Sequence, residues 1–278
     1  MSLQADLTRA AAALRQAEGL LIAAGAGMGV DSGLPDFRGP QGFWTAYPPY
    51  AQLKLDFVAL ANPRWFVSDP ALAWGFYGHR RNLYRRTTPH PGFALLRQWA
   101  KACPAGAFVF TSNVDHHFQS AGFSEEQVCE VHGSLEWNQC QAGCGMGIFP
   151  AESAAVDVDL ETFRARPPWP SCPRCGGLAR PNVLMFGDGD WLPERTAAQE
   201  QRLQDWLQGV RRLVIVECGA GTAVPTVRRF CEAVAAWKPH ALLVRINVRE
   251  PEVPAGHVGL PLRAREALEQ LDVLRAAL

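Results

Sequence analysis

Eight cysteines are spread over 278 residues, and four of them form two close pairs. Three residues separate Cys140 from Cys144, two separate Cys172 from Cys175, and 27 lie between the pairs. Each short knuckle offers two sulfurs to one ion, so the four thiolates predict a tetrahedral zinc site. Gly176, directly after Cys175, suits the tight turn such a knuckle needs. Four cysteine ligands leave no coordination position open, which makes this zinc structural. Cys103, Cys129, Cys218 and Cys231 have no such spacing and read as buried small hydrophobes.

A second group of residues suits the binding of a polar ligand. In "LLIAAGAGMG" an apolar run flows into glycines at 25, 27 and 29. Such a turn lets backbone amides approach a pyrophosphate at a helix start. The spacing is not GxGxxG, and a tight turn without a ligand reads equally well. The following "DSGLPDFRG" places Pro35, Asp36, Phe37 and Arg38 in succession, a chemistry suited to a loop folding over a ligand. In "TSNVDHHF", Asn113 and Asp115 follow a short apolar run. An amide and a carboxylate there suit a carboxamide or ribose hydroxyls, and equally the cap of a helix over 115–121. His132, in "EVHGS", also follows such a run; it reads either as a structural histidine or as a general base near neutral pH. Tyr77 and Arg80 stand three apart on one helical face, in a stretch that also holds Arg81, Arg85 and Arg86.

The elements that must position these groups show in the apolar pattern. Leu20–Ala24, Ala107–Thr111, Val128–Val131, Leu213–Val216 and Leu242–Ile246 have strand character. Leu3–Ala17, Pro91–Lys101 and Thr222–Trp237 have the length or periodicity of helices. Strand, polar tip and helix in alternation predict an α/β fold with an open parallel sheet. Ligands of such sheets bind outside the carboxyl ends of the strands, so the polar tips converge on one crevice. Two stretches break the alternation: an aromatic-rich one over 40–89 and the cysteine-bearing one over 133–180.

Composition excludes several classes. Lys+Arg and Asp+Glu are equal at 27 each, so no global basic field gathers nucleic acid and no polybasic run favours a membrane surface. No stretch approaches the roughly 20 apolar residues of a spanning helix, and no secretory pattern opens the chain. The expectation is a cytoplasmic protein, where cysteines are reduced, metal-bound or buried.

"GAGMGVDSGLPDFRG", "TSNVDHHFQSAG", "EVHGS", the paired cysteines, "RPNVLMFG" and "INVRE" together resemble, in order and spacing, the sirtuins, the Sir2-like NAD-dependent protein deacylases. The resemblance runs over almost the whole chain. It implies a Rossmann-like NAD-binding domain over 1–39, 90–132 and 181–278, a helical insertion over 40–89 and a small zinc-binding module over 133–180. It also implies roles: Gly25, Ala26 and Gly27 at the dinucleotide phosphates, and Asp36, Phe37 and Arg38 over the nicotinamide ribose. Ser112 stands beside the ribose, Asn113 and Asp115 line the nicotinamide pocket, and Gly219 and Asn247 hold the adenosine half. Val183, Phe186 and Gly187 would pair with or flank an acyl-lysine peptide as an added strand. His132 would be the catalytic base, removing a proton through a ribose hydroxyl. The implied products are deacylated lysine, nicotinamide and 2′-O-acyl-ADP-ribose. Some sirtuins use a Tyr-x-x-Arg pair like Tyr77 and Arg80 to bind the carboxylate of succinyl or malonyl groups, which Arg suits through its planar fork.

The chain departs from the family pattern at Gly29 (usually serine), Ser112 (usually glutamine), His117-Phe118 (usually Leu-His), the "GAGTAV" run over 219–224, and Asp188 (usually glutamate). None of these touches His132, Asn113 or Asp115. Two other functions fit the same residues: a mono-ADP-ribosyltransferase, and a non-catalytic NAD-sensing module.

Overall fold

The structure is a computed structural model that describes residues 2–35, 40–52 and 54–277, with the side chains of 40–42 left aside. In chain order the strands are β1 (Gly19–Ala24), β2 (Ala107–Thr111), β3 (Val128–Glu130), β4 (Gly133–Cys140), β5 (Ile148–Pro150), β6 (Val158–Asp159), β7 (Arg164–Ala165), β8 (Ala179–Val183), β9 (Leu213–Cys218), β10 (Leu242–Ile246) and β11 (Val258–Leu260). Six of them form one sheet in the order β11-β10-β9-β1-β2-β3. All its pairings are parallel.

The apolar runs are continuous rather than alternating because both faces of this sheet are covered. Leu20, Ile22 and Ala24 point with Val109, Val216 and Val244 into a core closed by the Leu3–Gln16, Pro91–Ala102 and Ala264–Ala277 helices. Leu21 and Ala23 point the other way, with Phe108, Ile215 and Leu243, into a core closed by the Glu194–Gly209 and Thr226–Trp237 helices. The strand order reverses between β1 and β9, which opens a crevice at their carboxyl ends.

The two stretches that break the alternation pack on each other. β4 pairs antiparallel with β5 and β8, and β6 and β7 form a hairpin. That hairpin lies on the Pro70–Arg86 helix, where Asn82 Nδ2 donates to Val156 O at 2.7 Å and Asn82 Oδ1 accepts from Val156 N at 3.2 Å. Phe43, Tyr47, Tyr50, Trp74 and Phe76 share one core with Leu135, Phe163, Val183 and Met185. Trp74 Nε1 donates to Ala179 O at 3.0 Å, so the helices and the cysteine-bearing sheet are bonded through their interior.

Three local expectations differ. The helix expected from Thr222 starts at Thr226: Pro225 fixes its own φ and pushes residue 224 out of the helical region, so 222–225 is a turn. The helix expected over 115–121 covers His117–Ser120, and Asp115 Oδ1 accepts from His117 N at 3.0 Å across the left-handed residue His116. The short edge strand β11 was not foreseen, since three residues carry too little pattern.

The crevice is built from backbone-to-backbone contact. Gly27 N donates to Gly219 O at 3.0 Å and Gly25 N to Cys218 O at 3.0 Å. Gly219 has φ +63°, and a Cβ there would sit 2.4 Å from the backbone of Gly27 and Met28. Gly219→Ala therefore meets both a left-handed backbone and a clash. It is expected to cost about 2 kcal/mol or more of stability in urea unfolding.

Candidate active site

The carboxyl ends of β1, β2 and β3 and the segment after β8 meet around a cavity of about 640 Å³. Ala26, Ser112, Asn113, Asp115 and His132 line it from the large sheet; Val183, at the end of β8, and Phe186 and Gly187, just after it, line another side; Tyr77 and Arg80 line it from the Pro70–Arg86 helix. Ten residues singled out in the sequence thus face one space. Gly25 and Gly27 lie at its edge, in the turn packed on Gly219. Gly219 and Asn247 belong to the neighbouring turns after β9 and β10. Asp36, Phe37 and Arg38 lie outside the described residues.

Strand ends and local bonds set each side chain. Asn113 Nδ2 donates to Gly25 O at 3.0 Å and its amide to Thr111 Oγ1 at 3.0 Å, so β2's tip is pinned to β1's turn. The Ser112 hydroxyl is buried and has no hydrogen-bond partner among the described residues, although it borders the cavity. His132 stands two residues after the end of β3, and its Nε2 lies 3.4 Å from Thr226 Oγ1 at the start of a helix. The strand before it is held by the Glu194–Gly209 helix: Glu130 N donates to Gln199 Oε1 at 3.1 Å, and Thr196 Oγ1 donates to Glu130 O at 3.2 Å. The fully buried Glu130 carboxylate pairs with Arg195 at 2.6 Å.

The segment after β8 is tied at several points. Leu184 N donates to His132 O at 3.0 Å and Phe186 N to Ala61 O at 2.8 Å. Arg180 makes two bonds to Asp188, at 2.6 and 2.8 Å, with both side chains buried, and Asp188 also accepts from Met185 N at 3.4 Å. This clasp was invisible in the sequence, where Asp188 figured only as a departure from a pattern. Tyr84 was also missed. It sits four residues after Arg80 and seven after Tyr77, on the same helical face, and its hydroxyl accepts from Arg80 Nε at 3.0 Å. The helical spacing was the available signal. Arg80 lies against the rings of Phe57, Phe76 and Tyr84. Burial pushes the phenols of Tyr77 and Tyr84 above their ordinary range, which keeps both neutral donors.

The four paired cysteines converge away from this cavity. Their Sγ atoms all lie within 4.8 Å of one another, with Cys140–Cys175 and Cys144–Cys172 both at 3.6 Å. A tetrahedron with Zn–S bonds of about 2.3 Å has sulfurs about 3.8 Å apart, so this donor set fits zinc. Burial raises the Cys172 thiol, but the backbone amides of Cys175 and Arg174 outweigh it and draw the group down to about 7, toward the thiolate a metal needs. Gly176 takes φ +68°, the left-handed turn expected after the second knuckle. Cys103, Cys129, Cys218 and Cys231 are buried, as expected of small hydrophobes.

The profile of the Sir2 family matches residues 25–207. The chain belongs to the Sir2 family. Among relatives of this family member, NAD-dependent protein deacylase 2 of Pyrobaculum aerophilum is 32% identical over 255 residues, which is 90% of this chain and 88% of the relative. The NAD-dependent protein deacylase of Methylococcus capsulatus is 34% identical over 257 residues, 91% of this chain and 89% of the relative. Among solved structures, a mutant Sir2 homologue in complex with ADP-ribose superposes with a TM-score of 0.73 at 26% identity, covering 97% of this chain and 96% of that one. The Rossmann-like sheet with a four-cysteine module is thus the family fold.

Zinc at the four sulfurs would hold β4 to the knuckle after Pro170, in a region with a small core of its own. Exposure to a strong chelator is expected to release about one zinc per chain and to lower the melting temperature, as is Cys172→Ser. Metal analysis and thermal unfolding check both.

Proposed function

We propose that this protein is an NAD-dependent protein lysine deacylase, releasing nicotinamide and 2′-O-acyl-ADP-ribose. The observation that carries the reading is the placement of His132 on the same cavity as Asn113, Asp115 and the Val183–Gly187 segment. A base, a nicotinamide-type recognition pair and a peptide-binding edge then address one space. The names of the two relatives, both NAD-dependent protein deacylases, support it.

NAD, when bound, supplies an ADP-ribosyl group whose nicotinamide is a competent leaving group. The chain's residues do the rest. Gly25, Ala26 and Gly27, with no side chain larger than a methyl, would let the phosphates approach the backbone closely, while the amides of Gly25 and Gly27 stay bonded to Cys218 O and Gly219 O. Ser112 offers its unpartnered hydroxyl to the ribose, a shorter reach than the family's usual glutamine. Asn113 and Asp115 would receive the carboxamide; the family resemblance gives the place over the ribose to Asp36, Phe37 and Arg38, which lie outside the described residues. Gly219 and Asn247 take the adenosine half. His132 accepts the proton of a ribose hydroxyl, and Thr226 Oγ1 beside Nε2 fixes the ring. An acyl-lysine peptide lies along Val183, Phe186 and Gly187 as an added strand. Leu34, Phe43, Val114 and Met185 make the cavity wall apolar, which keeps water from competing with the acyl oxygen.

We read Tyr77 and Arg80 as the acyl selector. Both are buried in the wall, and a guanidinium with a neutral phenol beside it matches a carboxylate at the end of a succinyl or malonyl chain. The division into an NAD-binding domain (1–39, 90–132, 181–278), a helical insertion (40–89) and a zinc-binding module (133–180) belongs to the same proposal. So do a cytoplasmic location and protein rather than nucleic-acid or membrane partners. Zero net charge supports the last, and among the described residues no helix is long and apolar enough to cross a membrane.

Mass spectrometry of products from NAD and a panel of acyl-lysine peptides tests the activity. O-acyl-ADP-ribose and free nicotinamide are expected; ADP-ribose accumulating on protein instead would replace this reading with a transferase. His132→Tyr is expected to lower kcat by about a hundredfold or more. Arg80→Met is expected to lower kcat/KM on succinyl-lysine peptides about tenfold or more while sparing acetyl-lysine, the loss expected for a charged hydrogen bond. An acetyl preference that the substitution leaves unmoved would dismiss the selector.

A further inference from the structure

Glu217 and Arg245 are charged, fully buried and unused by the chemistry above. They are direct neighbours in register on β9 and β10. Glu217 shares its face of the sheet with Leu213 and Ile215, beneath the Thr226–Trp237 helix. The pair is bidentate, with Arg245 Nε to Glu217 Oε1 at 2.6 Å and Nη2 to Oε2 at 2.9 Å. Two apolar residues would fill such a place at least as stably, because removing both charges from water is costly. The charges do something that apolar residues do not. Besides Glu217 the guanidinium pairs through Nη2 with the partly exposed Glu232 at 2.9 Å, and its Nη1 donates to Glu252 O at 2.5 Å, in the turn after β10.

A second arginine grips the same turn. Arg228, on the Thr226–Trp237 helix and mostly buried, donates to Glu250 O at 2.8 Å, to Glu252 O at 3.2 Å and to Ala220 O at 3.4 Å. With its backbone held from below, the turn bonds upward to the one after β9. Asn247 Nδ2 donates to Ala220 O at 2.8 Å, and the Glu250 carboxylate accepts from Thr222 N at 2.9 Å and from Thr222 Oγ1 at 2.5 Å. The two turns thus form one unit at the carboxyl ends of β9 and β10.

The sheet order says what this unit faces. A dinucleotide lies across the point where strand order reverses, one nucleotide on each side. The cavity with His132, Asn113 and Asp115 lies mainly on the β1-β2-β3 side and meets the segment after β9 at Ala223 and Val224, which leaves the 219–222 and 247–252 turns to the other nucleotide. We propose that the buried Glu217–Arg245 pair, together with Arg228, is a positioning device for NAD: it fixes the 247–252 turn against the 219–222 turn in the geometry that receives the adenosine half. This rests on the NAD reading above and adds to it residues that touch no ligand, act through the turn, and govern cofactor affinity alone.

The test is calorimetric NAD binding, with thermal unfolding and peptide KM measured alongside. Glu217→Leu/Arg245→Met keeps the volume and removes both charges together. The expected result is a retained or raised melting temperature, NAD affinity weakened about tenfold or more, and an unchanged peptide KM. Retained stability with unchanged NAD affinity would overturn the proposal and leave the deacylase reading intact. Wild-type protein that binds no NAD would overturn both. If the double variant does not fold, Arg228→Met decides. It releases the same turn without stranding a buried carboxylate, and the same split between NAD and peptide is expected. NAD affinity unmoved by Arg228→Met would equally overturn the proposal.

Discussion

Everything in this molecule is arranged around the contact of two bare backbones, the turn after β1 and the turn after β9. Gly25 and Gly27 donate to the carbonyls of Cys218 and Gly219, and any Cβ at 25, 27 or 219 would lie under 3 Å from the opposing chain. The contact puts the carboxyl ends of the two central strands at one level and leaves amides and carbonyls, instead of side chains, at the mouth of the crevice. Asn113 is pinned to Gly25 O, so the tip of β2 inherits its position from the same contact. His132 inherits its own one strand further out, through the pairing of β2 with β3. Positioning passes sideways along the sheet from glycine to histidine.

The second wall of the site has a different origin. The Pro70–Arg86 helix, the β6–β7 hairpin and the β4–β5–β8 sheet are joined by aromatic packing and by bonds such as Trp74 Nε1 to Ala179 O. Buried polar links are frequent here: Arg81 donates to Asn138 at 2.7 Å, and Arg180 clasps Asp188. Such links have one good geometry each, whereas apolar contacts tolerate sliding. They suit a wall that must present Tyr77, Arg80 and the Val183–Gly187 edge at fixed places.

How much of this was legible in the sequence follows from which physics was local. Ala107–Thr111 and Leu242–Ile246 end where their runs end, because a strand buried on both faces is apolar except where a buried charge is paired, as Arg245 is. The cysteine site was legible because a tetrahedral ion constrains spacing directly. The strands of the cysteine-bearing stretch were not, since β4 carries a bulge between Gly133 and Asn138 and blurs its own alternation. Tyr84 hid among arginines, and Glu217 hid inside an apolar strand. Tyr84's partner Arg80 is only four residues away, so helical spacing alone could have found it; the partner of Glu217 lies 28 residues on, and no local pattern records it.

Sequence separation carries a consequence for how the chain assembles. β1 lies at the centre of the sheet, yet one of its two neighbours, β9, begins almost 200 residues later. The aromatic core likewise joins residues from Phe43 to Met185. During synthesis β1 emerges well before β9 and waits with one edge open until almost 200 further residues have been made. The glycine contact that organises the finished site therefore forms late, and a chain interrupted before β9 leaves one edge of β1 without its partner strand.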